Sequence, residues 1–185
     1  MNRFVSTFES NIDARGRVSV PAPFRAVLER DAASFGDIGG IYCYPSLDAP
    51  ALDAGSERLA RKIDGLLGDL PEYSDERDQL SVALYGNVQI LSIDGDGRIV
   101  LPQELREHAG IARRVTFVGL GDKFQIWAPE AFAERDKLAR EKARAHRKLF
   151  DAGRRLARSE PDAHGADRPG GSASGASDDE EGTRE

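Results

Sequence analysis

The sequence predicts an α+β chain assembled from two similar half-units, and three observations carry that reading. A fourteen-residue motif occurs twice, each copy reads as strand, tight turn, strand and short helix, and amphipathic helical segments lie between and after the copies. Ile12 to Arg25 aligns without gaps on Ile93 to Arg106, an offset of 81. Ile, Asp, Gly, Arg, Pro and the final Arg are identical, while Val18/Ile99, Val20/Leu101 and Phe24/Leu105 are alike. Two such copies suggest half-units related by a pseudo-two-fold axis.

The turns come first. Asp13-Ala-Arg-Gly16 and Asp94-Gly-Asp-Gly97 each begin with an Asp, whose carboxylate accepts backbone N–H bonds. Each ends in a Gly, which takes positive φ at no steric cost. A short strand follows, then Pro21 or Pro102 at the start of a helix, where a missing N–H is harmless. Between the copies, Gly40 to Pro45 reads as a buried strand, with Tyr42 and Tyr44 as core or interface residues. Leu59, Ile63, Leu66, Leu67 and Leu70 make the apolar stripe of a helix that stops before Pro71. Ser74 caps a second helix, with Asp75 and Glu76 in its first turn and Leu80, Ala83 and Leu84 as its stripe. Val115 to Val118 and Phe124 to Trp127 form a hairpin around Gly119 to Asp122. From Pro129 to about Leu156 the pattern is helical, with a thin apolar stripe among Lys and Arg. Past Ser159 the composition turns to Gly, Ser, Ala, Pro and acid, and that segment is expected to be disordered because it has little apolar surface to bury.

Net charge is -6 over 185 residues, yet it is distributed in blocks: +2 over residues 1–30, -8 over 31–130, +6 over 131–158 and -6 over 159–185. A local basic surface for a polyanion is therefore compatible with an acidic total. Cys43 is the single cysteine, which excludes a disulfide framework, a thiolate metal cluster and a Cys-x-x-Cys pair. No stretch reaches the roughly 20 apolar residues of a membrane helix, and no signal-peptide pattern opens the chain, so a cytosolic, soluble protein is expected. His108, His146 and His164 lack metal-ligand spacing, and Gly119-Leu-Gly121 lacks the third Gly of a dinucleotide loop. Asp94-Gly-Asp96 starts like a calcium loop but puts Arg98 at the fifth ligand position. The chain is read as having no enzymatic activity and no cofactor.

The Asp-x-x-x-Arg pairs, Asp13 with Arg17 and Asp94 with Arg98, admit two readings. Locally, the Asp closes the turn and the Arg pairs across it for 0 to ~1 kcal/mol. Functionally, the turn presents Arg15 and Arg17 to phosphates or base edges, for which a planar guanidinium fork is suited. The basic helix over 135–158 likewise reads either as a solvated face or as a further nucleic-acid surface.

These turns, each followed by a short strand, Pro and helix, with Val118-Gly119 and Phe124-Gln-Ile-Trp127 closing the second copy, resemble the MraZ family of bacterial regulators. The resemblance runs from about Arg3 to about Leu149, and Arg3-Phe-Val-Ser, Pro21-Ala-Pro-Phe-Arg25 and Ala83-Leu-Tyr-Gly86 are similar to alphaproteobacterial members. It implies two AbrB-like swapped-hairpin repeats forming a double-split β-barrel with flanking helices. The corresponding organisation is a first repeat over 3–50, linking helices over 51–86, a second repeat over 87–130, a C-terminal basic helix over 131–158 and a disordered acidic tail over 159–185.

The family implies a ring-shaped homo-oligomer that represses the division and cell-wall gene cluster from short tandem G-rich boxes upstream of its own operon. Expected partners are double-stranded DNA and further copies of the chain, with no membrane and no small-molecule substrate. The expected location is cytoplasmic and nucleoid-associated. The implied DNA-contacting residues are Asp13, Arg15, Gly16 and Arg17, with Asp94, Gly97 and Arg98 in the second turn and Arg3 near the N-terminus. Two positions depart from the pattern: Ser6 stands where many members have Gly, and Asp96 where they carry a neutral or basic residue, so Arg17 is expected to contribute more than Arg98. The alternative is an AbrB-like protein-interaction or antitoxin-type module whose Arg turns pair with acidic partners.

Overall fold

Alternating short strands and amphipathic helices give the expected mixed α+β architecture. The computed structural model describes residues 2–158, and the expected acidic tail lies outside the described residues. By contacts the chain divides into two units, Met1–Glu141 and Lys142–Glu185, and all strands among the described residues belong to the first. Around the first copy of the motif lie β1 (Thr7–Asn11), β2 (Arg17–Ser19) and α1 (Ala22–Phe35). Next come β3 (Ile41–Pro45), β4 (Ala51–Gly55), α2 (Glu57–Gly68) and α3 (Asp75–Leu84). Around the second copy lie β5 (Gln89–Leu91), β6 (Arg98–Val100) and α4 (Gln103–His108), followed by β7 (Arg114–Gly119), β8 (Phe124–Trp127) and α5 (Pro129–Arg158).

Two antiparallel sheets result. Six strands run in the order β1-β7-β8-β4-β3-β5, and β2 pairs with β6 as a separate ribbon. Val18 and Ile99, opposite one another in the ribbon, are buried, as are Phe4, Phe24, Phe117 and Phe124. These four rings pack edge-on or tilted at centroid distances of 5.0 to 6.3 Å, with Phe8 added at 5.4 Å from Phe24. Each such pair contributes ~0.5–1.5 kcal/mol beyond the area it buries. A satellite cluster of Tyr42, Tyr44, Leu59, Ile63 and Leu67 fixes α2 and α3 to the opposite face of the sheet at β3.

Three local expectations change. Ala51–Gly55 is a fully buried strand within a stretch read as helical, because Ala, Leu, Asp, Ala and Gly give neither alternation nor β-branched enrichment. Leu66, placed on the apolar stripe, is 61% exposed: the buried line is Leu59, Ile63 and Leu67, and Leu66 falls beside it. Pro21 and Pro102 sit one residue ahead of α1 and α4, and α1 is fourteen residues long rather than short. The Ser74 cap is as read, its Oγ accepting from the Arg77 N–H at 3.2 Å.

Candidate nucleic-acid interface

Each Asp-x-x-x-Arg segment folds into the same backbone turn. At the first, the Asp13 N–H donates to Arg17 O and the Gly16 N–H to Asp13 O, both at 3.0 Å. At the second, the Asp94 N–H donates to Arg98 O and the Gly97 N–H to Asp94 O, both at 2.9 Å. Gly16 and Gly97 take φ of +79° and +75°, the left-handed conformation that closes the turn. The leading carboxylate accepts two amides inside the turn. Asp13 Oδ1 takes the N–H groups of Arg15 and Arg17 at 2.9 Å, and Asp94 Oδ1 takes those of Asp96 and Arg98 at 2.9 Å.

The side chains then diverge. Arg17 Nε donates to Asp13 Oδ2 at 2.7 Å, so the local reading of the first pair holds. These bonds, led by the Arg17 backbone amide and then its guanidinium, hold the Asp13 carboxyl below its ordinary value of 3.8. At the second turn the expected Asp94 to Arg98 ion pair is replaced by Arg98 Nη1 against Asp96 Oδ2 at 3.3 Å. Asp96 is the acid nearest the Arg98 fork, and Asp94 is already committed to backbone amides.

The ribbon aligns the two arginines. Arg17 pairs with Val100 and Arg98 with Ser19, while the intervening Val18 and Ile99 are buried. With a side-chain period of two, Arg17, Ser19, Arg98 and Val100 all face outward. The two arginines lie diagonally on one face, about 7 Å apart along the strand direction. Arg15 sits at the tip of the first turn, exposed, with no ion pair to any described residue. The turns occupy opposite ends of the ribbon.

Arg3 is placed elsewhere. Phe4 bridges Gly121, whereas Asn11 pairs with Arg114, so Arg3 lies at the far end of β1 from Asp13, the span from Phe4 to Asn11 alone being roughly 23 Å at ~3.3 Å per residue. The structure therefore gathers Asp13, Arg15, Gly16, Arg17, Asp94, Gly97 and Arg98 on the ribbon and leaves Arg3 beside the β7–β8 turn.

Two further pairs of arginines, passed over in the sequence, belong to this region. Arg25 and Arg106, the repeated final residue of the motif, each reach the opposite turn. Arg25 Nη1 donates to Asp96 O and Gly97 O at 3.5 Å, and Arg106 Nε donates to Leu101 O at 3.1 Å next to Gly16. Arg113 and Arg114 border a hollow of about 550 Å³ beside Asn11 to Ala14, with Arg113 O accepting the Ile12 N–H at 3.0 Å. The repetition of the final Arg was the available signal for the first pair. Only long-range strand pairing reveals the second.

No helix among the described residues is long and apolar enough to cross a membrane. Among those residues no three His, Cys, Asp or Glu side chains are placed to hold a metal ion. Cys43 is buried and its thiol is pushed up to about 12 by desolvation, with Asp53 adding to the shift.

Comparison with known proteins places the chain in a family. The family described as "MraZ protein, putative antitoxin-like" matches residues 84–150. The chain is 48% identical over 153 residues to "Transcriptional regulator MraZ" of Azorhizobium caulinodans, covering 83% of this chain and 94% of that one. It is 54% identical over 130 residues to the protein of the same name from Xanthobacter autotrophicus, covering 70% and 80%. With the Rickettsia bellii protein of that name it shares 42% identity over 149 residues, covering 80% and 95%. Identity of this extent across 80–95% of each relative means that the chain belongs to the MraZ family.

Proposed function

We propose that this chain is a DNA-binding transcriptional regulator rather than an enzyme, and that the first Asp-x-x-x-Arg turn is its principal contact. The observation that carries the reading is the Asp13-fixed turn, which aims Arg15 and Arg17 outward from a two-stranded ribbon. A ribbon of that width fits the DNA major groove, and an Arg fork matches the O6/N7 edge of guanine. Asp13 fixes the turn, Gly16 permits it, and Arg15 and Arg17 divide phosphate and base contact. Asp94, Gly97 and Arg98 build a weaker second contact, because Asp96 already occupies Arg98. Arg3 lies off this surface and is assigned to a contact of its own.

The relatives carry the name transcriptional regulator, and the fuller reading extends it. The chain represses the division and cell-wall gene cluster by binding tandem G-rich boxes upstream of its own operon, working in the cytoplasm at the nucleoid. Its two motif copies are AbrB-like swapped-hairpin halves of a double-split barrel, and subunits join in a ring. One turn per subunit binds weakly. Several turns engaging several boxes multiply affinity through effective concentration, which suits a chain of net charge -6.

A second reading is supported by the antitoxin-like wording of the family description: the Arg turns pair with acidic groups of a partner protein. Footprinting of the purified protein on DNA upstream of its own coding sequence separates the two. Regularly spaced protected boxes support regulation, and a uniform cleavage pattern at saturating protein removes it. Light scattering on the eluting protein should give a mass several times 20.2 kDa, and a monomer at micromolar concentration would remove the avidity.

A further inference from the structure

We propose that Arg113 is a phosphate clamp for the first turn, absent from the second, so that each subunit grips DNA from one end of its ribbon. The proposal rests on the DNA-binding reading above and adds a residue outside the Asp-x-x-x-Arg motif.

The segment of Ile12 and Asp13, which continues from β1, runs between two arginine-bearing segments. On one side the Asp13 N–H bonds Arg17 O, and on the other the Ile12 N–H bonds Arg113 O, each at 3.0 Å. At ~4.8 Å per strand spacing the Arg113 and Arg17 backbones stand roughly 10 Å apart. A B-DNA major groove is ~12 Å wide, so a guanidinium seated on a base edge at mid-groove lies about 6 Å from either phosphate wall. Long, flexible Arg113, one strand beyond the central one, reaches that wall.

Its charge is available. Arg114 is held by Glu9 and Glu130, each at 3.4 Å, and Asp13 is held by Arg17 at 2.7 Å. Arg113 is exposed and makes no ion pair with any described residue, as is true of Arg15. Arg113 lines a hollow together with Asp13 and Ala14, the residues that lead into Arg15.

The second turn has no counterpart. The pairing of β3 with β5 ends at Ile41 and Leu91, and the residues that lead into β3, Gly36 to Gly40, include no arginine to match Arg113. Gly39 has no side chain, and its N–H is taken by the Asp37 carboxylate at 2.8 Å. Each turn has the other copy's final arginine against its glycine, and the first has Arg113 beside it as well, a cation with no ion pair to any described residue.

A phosphate contact carries no sequence information but does carry salt dependence. The test compares full-length wild type, Arg113→Ala, Arg113→Lys and Lys62→Ala. The last is a charge-matched control, since Lys62 pairs with Asp122 at 3.3 Å beside the β7–β8 turn, away from Asp13. Fluorescence anisotropy is read on a duplex from the chain's own upstream DNA and on a shuffled duplex of equal composition. Arg113→Ala should weaken both duplexes by the same factor and lower the slope of log K against log [salt] by ~0.9 per bound subunit. Its deficit should then shrink about 3.5-fold per contact between about 50 and 200 mM salt. Arg113→Lys should keep the slope, and Lys62→Ala should match wild type. An unchanged slope for Arg113→Ala, a slope change equal to that of Lys62→Ala, or a loss confined to the upstream duplex overturns the clamp and leaves the DNA-binding reading standing. Wild type that binds neither duplex overturns both.

Discussion

The guanidinium of Arg25 lies directly against Gly97, where a Cβ has no room. Arg25 ends the first copy of the motif, and Gly97 closes the turn of the second. The reciprocal contact also exists: Arg106 of the second copy lies within 3.6 Å of where a Gly16 Cβ would stand. Between the copies, Leu101 N–H donates to Gly16 O at 2.8 Å and Val20 N–H to Gly97 O at 3.0 Å. Each half thus holds the glycine of the other. The repeated Gly and the repeated Arg are two sides of one contact.

That contact ranks the glycine substitutions. Both Gly16→Ala and Gly97→Ala pay ~1–2 kcal/mol for a Cβ at positive φ. At Gly16 the new Cβ also meets Leu101 O at 2.7 Å, a backbone carbonyl that cannot step aside. At Gly97 it meets the flexible end of Arg25. Urea unfolding should show Gly16→Ala as the more destabilised, by more than about 2 kcal/mol. Gly97→Ala should cost less in an Arg25→Ala background than in wild type. Equal costs in both backgrounds would show that Arg25 does not crowd the turn.

Ser6 makes a prediction in the other direction. It is one of two non-glycine residues at positive φ among the described residues, at +74°, and its carbonyl accepts the Gly119 N–H at 2.9 Å. The backbone there is fixed by the sheet while the side chain is exposed. Ser6→Gly should stabilise the protein by about 0.5–1 kcal/mol, the relief of left-handed strain less the extra freedom of glycine when unfolded. Thermal melting should rise by ~2–4 °C per kcal/mol gained. A fall in melting temperature would show that Ser6 is not strained.

What could be read from the sequence, and what could not, divides by range. The Asp…Gly turns, the Ser74 cap and the hairpin of Val115 to Trp127 depend on neighbours a few residues away, so residue types sufficed. Ala51–Gly55 is held by β3 and β8 through partners far along the chain, and its own residues have low strand preference. The Arg98 to Asp96 pair could not be told from an Arg98 to Asp94 pair by spacing, because both acids are within reach of a flexible side chain. Arg25, Arg106 and Arg113 act across offsets of 71 or more residues or through backbone pairing, and no local pattern marks them, save that the motif ends twice in Arg.

Asp13 should make the first turn sensitive to acid. Its carboxyl is held below 3.8 by the Arg17 backbone amide, the Arg17 guanidinium and the Arg15 amide. A folded-state value below the unfolded one means that the stabilisation is complete above about pH 4 and is lost as pH falls through the lowered value. Asp13→Asn retains an acceptor for the amides but not the charge facing Arg17. Wild type should therefore exceed Asp13→Asn in unfolding free energy near neutral pH, and the gap should close as the pH is taken down from about 5 to about 2. A gap that is constant over that range would assign the loss to the altered shape of the turn.

The two turns should contribute unequally to DNA binding, and Asp96 should be the reason. Arg17 and Arg98 occupy equivalent outward places on the ribbon, and both are paired with an acid. They differ in the partner. Asp13 belongs to the frame of the first turn and accepts two backbone amides, so it holds Arg17 in an aimed position while leaving the rest of the fork free. Asp96 is 71% exposed and accepts no backbone amide within its turn, so it is an additional negative charge beside the place a phosphate would take. Arg17→Ala should cost about 1–3 kcal/mol per site, or roughly 5- to 150-fold, on upstream DNA. Arg98→Ala should cost less. Asp96→Asn should raise affinity several-fold, more at low salt than at high, because it removes a repulsion and frees a cation. Anisotropy titrations of the three variants, after circular dichroism shows each folded, decide the matter. Equal losses for the two alanine variants, with no gain from Asp96→Asn, would mean that both turns bear on DNA alike and that the extra acid is inert.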